Sequence, residues 1–144
     1  WPVIVLLGAM IPVGAAMEAV GGSELIADIM LGMGSAMTPH LAVIILMVAT
    51  LALSNILNNA AVAVLMAPLS FQIASGLGVS ADPLLMAVAI GASCAFLTPI
   101  GHQSNALVMG PGGYRFTDYW HMGLPLSVLV VVMGLISIFA FWPF

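Results

Sequence analysis

Two short polar segments interrupt an apolar chain, and they contain most of the residues that could bind a ligand. The first is SNILNN at 54–59, with one serine and three asparagines in six residues. The second is TPIGHQSN at 98–105, which supplies hydroxyls, amides and an imidazole. Unpartnered polar groups are costly in hydrocarbon. These side chains must therefore be satisfied by one another, by the backbone, by water or by a ligand.

The first polar segment has groups that suit ions of either sign. Asn59 directly precedes the apolar run 60–69, where a helix is expected to start. Its side chain and the unpaired N–H groups of that helix start are expected to point to the same place. Such a group of donors favours an anion. Amide and backbone carbonyl oxygens also suit a hard cation such as Na⁺. Two plainer interpretations stay open: a capped helix–loop–helix tip, or hydrogen bonding between helices.

The second polar segment follows the same logic. Pro99 and Gly101 prevent a continuous helix, and Asn105 precedes a new apolar run, so it is expected near a helix start. His102 is either a hydrogen-bonded structural group or a donor to a substrate oxygen, since ionisable residues within membrane segments are functional suspects. A pair of interrupted apolar segments predicts an ion-coupled carrier of an anion.

The composition places both segments in a membrane protein. Of the 144 residues, 63% are hydrophobic and 4% are charged, whereas about a quarter of the residues of a soluble domain are charged. We therefore expect a multi-pass protein in contact with the lipid bilayer and with no nucleic-acid partner. The single cysteine, Cys94, excludes a disulfide framework or a cysteine-based metal site within this chain.

Apolar stretches of different lengths must position the polar segments. They are residues 3–17, 41–53, 60–69, 84–97 and 124–142. A bilayer crossing needs about 20 apolar residues, and only the last stretch plainly has that length. We predict one transmembrane domain over 1–144, with a re-entrant hairpin at about 41–75, a broken helix at about 82–110, an interfacial linker at 111–121 and a last transmembrane helix at 122–144.

Smaller signals mark the ends of these elements. Ser23, Glu24 and Asp28 predict a short amphipathic helix at the membrane surface, and Thr38-Pro39 predicts the start of the next helix. The run at 110–113 predicts a loop, and the aromatic residues that follow it predict an interfacial linker. The chain begins without a charged n-region, so we expect no signal peptide and a position partway through a larger protein.

The two polar segments resemble those of the divalent anion:sodium symporter family, which carries di- and tricarboxylates and sulfate within the wider ion transporter superfamily. That family has a Ser-Asn-Thr signature followed, after a short apolar helix, by Pro. NNAAVAVLMAP at 58–68 takes this place, with Asn58, Asn59 and Ala60 on the signature positions. GHQSNA at 101–106 resembles the second site segment, with Asn105 on the shared Asn. The run 98–120 looks most like the branch with TrkA-type cytoplasmic domains.

The resemblance implies an all-α membrane protein that is the C-terminal half of an inverted-repeat secondary transporter, with a re-entrant helical hairpin and a broken transmembrane helix. It implies Na⁺ as the coupling ion, no other cofactor, a missing N-terminal repeat, a homodimer, and a location in the cell's inner or plasma membrane. The Na⁺ ligands it implies are Ser54, Leu57, Asn59 and Gly101. The substrate-binding residues it implies are Asn58, Asn59, Ala60, His102, Gln103 and Asn105.

The predicted function is sodium-coupled transport of a divalent anion by alternating access, with a sulfate-type oxyanion or a di- or tricarboxylate as substrate. Asn58 and Ala60 lack the signature hydroxyls and His102 replaces a Thr, differences that fit a sulfate-type oxyanion. The alternatives are a passive anion channel and a non-transporting scaffold half. A hydrolase built on His102 and Ser104 lacks a supporting motif, so we expect no enzymatic activity.

Overall fold

The structure is a computed structural model, and it describes residues 38–144 together with positions 4, 5, 8, 12, 16 and 19–21. The predicted surface helix with Ser23, Glu24 and Asp28 lies outside the described residues. Residues 38–144 form helices without any strand. The helices are α1 (Pro39–Ser54), α2 (Asn59–Leu77), α3 (Asp82–Ala92), α4 (Gln103–Met109) and α5 (Asp118–Phe141). The predicted all-α fold class is therefore confirmed.

The polar residues before α1 and α2 start these helices. Thr38 Oγ1 accepts the Leu41 N–H at 3.3 Å, and Pro39 occupies the first turn, where its missing N–H loses no helical bond. This confirms the helix start predicted at Thr38-Pro39. Asn58 caps α2 in the same way, because its Oδ1 accepts the Ala60 N–H at 2.9 Å. Only residues 55–58 separate α1 from α2, so the two helices form a hairpin.

The predicted interruption of the next helix is present between α3 and α4. α3 ends at Ala92, inside the predicted apolar stretch 84–97, and residues 93–102 are not helical. Ser93 Oγ donates back to the Ala89 carbonyl at 2.8 Å in the last turn of α3. Helical hydrogen bonding resumes only after His102, so the non-helical residues 93–102 separate α3 from α4.

α5 begins earlier in the chain than the sequence predicts. It starts at Asp118, within the predicted interfacial linker, and the acidic side chain in its first turn is favourable next to unpaired N–H groups. By length and apolar composition, α2 and α5 can each cross a membrane, whereas α1 and α3 are shorter apolar helices. The outward face of α5 is apolar, with exposed side chains that include Leu129, Val132 and Ile136.

α3 packs against α1, α2 and α5 and forms the centre of the described core. Side chains with almost no exposed surface come from all four helices, among them Leu46, Val62, Leu84 and Ile138. Gly91 allows α3 to approach α1 closely, because a Cβ at this position would lie 2.8 Å from the Met47 carbonyl oxygen. This packing fixes the end of α3 beside the loop between α1 and α2.

Candidate ion-binding site

Three oxygen atoms meet where α1 ends, α2 begins and α3 ends. Ser54 Oγ lies 2.9 Å from Asn59 Oδ1 and 2.7 Å from the backbone oxygen of Ala92. A hydroxyl has one proton, so Ser54 donates to only one of these oxygens at a time. Ser54 is fully buried and Asn59 is partly exposed, so the group is reached from the Asn59 side. We call these three atoms the oxygen cluster.

The helix ends give the oxygen cluster a favourable field for a cation. Ser54 is the last residue of α1 and Ala92 is the last residue of α3. Helix C-termini carry partial negative charge and unpaired carbonyl groups. Neutral hydroxyl, amide and carbonyl oxygens of this kind bind hard cations. The arrangement can therefore hold a cation without any carboxylate ligand.

The start of α2 gives a neighbouring environment of opposite sign. Up to four N–H groups at a helix start lack intrahelical partners, and here Asn58 Oδ1 takes that of Ala60. The partial positive charge of this helix end favours an anion. Asn59 belongs to both environments, since its side chain joins the oxygen cluster and its backbone begins α2. A cation and an anion can therefore bind side by side around one residue.

The structure brings most of the predicted Na⁺ ligands together. Ser54 and Asn59 are in direct contact, and Gly101 lies against the end of α1, because a Cβ at Gly101 would lie 3.0 Å from the Ser54 carbonyl oxygen. Leu57 lies in the loop with an exposed side chain, and its N–H donates to the Leu53 carbonyl at 2.8 Å. Sequence reasoning did not find Ala92, because a backbone carbonyl has no residue-type signature.

His102 is the N-cap of α4. Its Nδ1 accepts the Ser104 N–H at 3.2 Å, so a neutral ring carries its proton on Nε2. The ring is exposed, and Nε2–H is left as a donor on the surface beside Gly101. Gln103 is exposed at the same place. The imidazole contacts the backbone of Ser104 rather than its hydroxyl, which differs from a hydrolase pairing of these two residues.

Asn105 is turned towards the non-helical segment that precedes it. Its side-chain Nδ2 donates to the Ala95 carbonyl at 2.9 Å and lies 3.3 Å from the Thr98 carbonyl. Its backbone carbonyl accepts from Tyr119 Oη at 2.7 Å. Asn105 therefore holds the shape of the segment and links it to α5. The sequence places Tyr119 in the interfacial linker at 111–121 but does not predict its hydrogen bond to Asn105.

A cavity of about 420 Å³ lies on the α5 side of Asn105. Most of its described lining is apolar, including Phe96, Val108, Met122 and Leu126, and the acidic residue Asp118 also lines it. An apolar wall with a carboxylate disfavours a divalent anion. Of these two places, the start of α2 is the more favourable environment for an anion.

The chain is similar in sequence to known transporters. A family model described as "Citrate transporter" matches residues 1–143. The chain belongs to the citrate transporter family. It is 40% identical over 132 residues to an uncharacterized transporter of Synechocystis sp., which covers 92% of the chain and 22% of that relative. It is 36% identical over 144 residues to an uncharacterized transporter of Escherichia coli strain K12, which covers 100% of the chain and 24% of that relative.

A third relative has a more informative name. The chain is 29% identical over 141 residues to sodium/sulfate cotransporter 1 of Chlamydomonas reinhardtii, covering 96% of the chain and 16% of that relative. This confirms the resemblance to sodium-coupled anion carriers, while the link to the TrkA-bearing branch stays a prediction. This member of the citrate transporter family is thus a membrane protein of a transporter family and not an enzyme. The chain spans about a quarter or less of the length of these three relatives.

Proposed function

We propose that the full-length protein couples the entry of Na⁺ to the transport of a divalent oxyanion, and that the oxygen cluster of Ser54, Asn59 and Ala92 is a Na⁺ site. The observation that carries this proposal is the meeting of three neutral oxygens at 2.7 and 2.9 Å between two helix C-termini and one helix N-terminus. Such broken-helix ends are where secondary transporters bind ions near the bilayer midplane. Leu57 and Gly101 are the further backbone ligands in this proposal.

The anion binds beside the Na⁺, at the start of α2. Asn58 and Asn59 provide amide and backbone N–H donors there, and Ala60, whose N–H is bonded to Asn58 Oδ1, belongs to the first turn of the helix. In this proposal the His102 Nε2–H and the Gln103 amide contribute from the second polar segment, where Gly101, next to His102, lies against the end of α1. Asn105 holds the backbone of the non-helical segment in place, because its Nδ2 is bonded to the Ala95 carbonyl. A bound Na⁺ adds positive charge next to the anion, so each ion strengthens the binding of the other.

Sulfate or a similar oxyanion is the proposed substrate class, with di- and tricarboxylates as the competing class. Relatives named sodium/sulfate cotransporters support the first, and the description of the family model supports the second. The site offers amide, backbone and imidazole donors without the hydroxyls of Ser or Thr at positions 58 and 60. Donors of this type suit the compact tetrahedral charge of sulfate.

Uptake by the full-length protein in proteoliposomes tests the proposal. Radiolabelled sulfate, succinate and citrate are each supplied with an inward Na⁺ gradient or with the same gradient of K⁺. We expect saturable sulfate uptake that concentrates the anion only with Na⁺. Flux that does not saturate and is equal in Na⁺ and K⁺ would instead identify a passive channel, and no flux of any anion would favour the scaffold alternative.

The remaining architecture belongs to the same proposal. Because the chain covers only 22% and 24% of the first two relatives, a second repeat elsewhere in the full-length protein supplies the other wall of the site. We propose a homodimer in the cell's inner or plasma membrane, in which alternating access carries the site across the bilayer. Lipid contacts the exposed apolar face of α5.

His102→Asn is expected to weaken anion binding selectively. Asn is a good N-cap and preserves an acceptor for the Ser104 N–H, but it removes the Nε2–H donor. A hydrogen bond to a charged group contributes about 1.5–3 kcal/mol, so the KM for sulfate should rise at least about tenfold, with the half-saturating Na⁺ concentration close to wild type. His121→Asn is the matched control, since His121 lies on α5 and its Nδ1 is 3.0 Å from the carbonyl oxygen of Thr117, the residue before that helix. An unchanged KM in His102→Asn would remove His102 from the anion site.

A further inference from the structure

Asn55 makes most of its polar contacts with a distant part of the chain. It directly follows Ser54 and is only 5% exposed. Its Oδ1 accepts the Leu97 N–H at 2.8 Å, and its backbone oxygen accepts from Thr98 Oγ1 at 2.6 Å. Its Nδ2 donates to the Leu51 carbonyl at 2.8 Å and lies 3.4 Å from the Cys94 carbonyl. Asn55 therefore bonds to residues 94–98 through both its side chain and its backbone carbonyl.

The non-helical segment 93–102 depends on such contacts for its shape. Its backbone groups lack the repeating bonds of a helix, and buried N–H and C=O groups need partners. Thr98 Oγ1, which donates to Asn55, also accepts the Gly101 N–H at 3.1 Å. These hydrogen bonds end at Gly101, which directly precedes His102 in the chain. The path from Ser54 to His102 consists of Asn55, Thr98 and Gly101.

We propose that Asn55 is a positioning residue that fixes the second polar segment to the oxygen cluster, so that the binding of Na⁺ at the cluster and of the anion beside His102 are linked through it. The positional part of this statement rests on the geometry of Asn55 alone. The part about the two ions rests on the proposed function. Because Ser54 is a cluster residue and Asn55 is its neighbour, a shift of Asn55 moves both sites together.

This role differs from a general contribution to stability. A residue that only stabilises the fold lowers the amount of functional protein but leaves the affinities of that protein unchanged. A residue that links two sites changes the factor by which one ligand improves the binding of the other. Spatial intermediacy alone does not prove such a link, so the test measures this factor directly.

The first measurement is hydrogen–deuterium exchange of the full-length protein in detergent, read by mass spectrometry on peptides that cover 93–101. Asn55→Ala removes the acceptor of the Leu97 N–H, and Thr98→Val removes the donor to the Asn55 carbonyl. We expect the exchange of this segment to be at least about fivefold faster in both variants, because local opening becomes easier. Thr98→Ser keeps the hydroxyl and should exchange like wild type. Ser93→Ala is the control, since its hydroxyl bonds within α3.

The second measurement compares the KM for sulfate in proteoliposomes at a low and at a saturating Na⁺ concentration. The measured quantity is the factor by which the KM falls between the two. We expect this factor to fall at least about fivefold in Asn55→Ala and Thr98→Val, and to be retained in Thr98→Ser and Ser93→Ala. If Asn55→Ala does not fold, the Thr98→Val and Thr98→Ser pair decides both measurements.

Two results would overturn the proposal: unchanged exchange in Asn55→Ala and Thr98→Val, or faster exchange with an undiminished effect of Na⁺ on KM. If the KM of the wild-type protein for each anion does not depend on the Na⁺ concentration, that result contradicts the proposed function instead. In that case the link between ions falls with it, and the exchange measurement still decides whether Asn55 positions the segment.

Discussion

Asn59→Ala in the full-length protein is expected to abolish Na⁺-dependent anion uptake while leaving the protein folded in the membrane. Asn59 Oδ1 contacts Ser54 Oγ at 2.9 Å, and the Asn59 backbone starts α2. The substitution removes one ligand of the Na⁺ and one side chain beside the anion. Contacts to charged groups contribute about 1.5–3 kcal/mol each, so uptake at a fixed Na⁺ concentration should fall at least about 100-fold.

The fold should survive Asn59→Ala because no buried group loses its only partner. Ser54 Oγ can still donate to the Ala92 carbonyl at 2.7 Å, and Asn58 still caps α2. Initial rates of sulfate uptake, corrected for the amount of monodisperse protein, measure the effect. Asn58→Ala provides the comparison, since it should raise the KM for the anion without a large change in the response to Na⁺. Undiminished uptake in Asn59→Ala would remove Asn59 from the site.

Gly123→Ala is expected to destabilise the protein and to eliminate transport. A Cβ at Gly123 would overlap the carbonyl oxygen of Phe96, and it would lie 2.7 Å from the Phe96 carbonyl carbon and 3.1 Å from Leu97 Cα. These are backbone atoms of the non-helical segment, and the Leu97 N–H is bonded to Asn55. A shift of the segment away from α5 would therefore disturb the region of that bond.

Overpacking of this kind costs about 1–3 kcal/mol, and here it also displaces the segment that carries Gly101 and His102. The thermal midpoint of the detergent-solubilised protein should fall clearly, and uptake should be lost. Gly110→Ala is the matched control, because no atom lies within 4 Å of a Cβ there and its φ of −66° suits alanine. A Gly123→Ala variant with wild-type stability and uptake would show that α5 does not press on the segment.

The sequence predicts the starts of α1 and α2 closely, whereas it places the start of α5 too late and does not predict where α3 ends. Thr38 and Asn58 are good capping residues in front of apolar runs, and both cap helices in the structure. Pro99 predicts an interruption, yet α3 already ends at Ala92. Beyond that end, the Asn55 carboxamide bonds to backbone groups of Cys94 and Leu97. A contact between residues about 40 positions apart along the chain has no local signal.

The candidate site shows the same division. Residue types and spacing single out the polar segment 54–59, because it puts one serine and three asparagines between apolar runs, and the family resemblance implies Ser54 and Asn59 as ligands within it. They cannot single out the Ala92 carbonyl, since every residue has one. They also cannot tell which asparagine faces an ion and which faces the backbone, because that depends on how α1 and α3 pack. Asn55 and Asn105 face the backbone of the second segment.

The Na⁺-activation curve of sulfate uptake by Ser54→Ala, compared with that of Ser93→Ala, tests most directly whether the oxygen cluster holds the coupling ion. Both serines lie at helix C-terminal ends, but only Ser54 contacts Asn59, whereas Ser93 bonds to the Ala89 carbonyl. We predict that Ser54→Ala raises the half-saturating Na⁺ concentration at least about tenfold, the loss of one contact to a charged group, and that Ser93→Ala leaves it unchanged. Activation curves that coincide for wild type, Ser54→Ala and Ser93→Ala would contradict a Na⁺ site at this cluster.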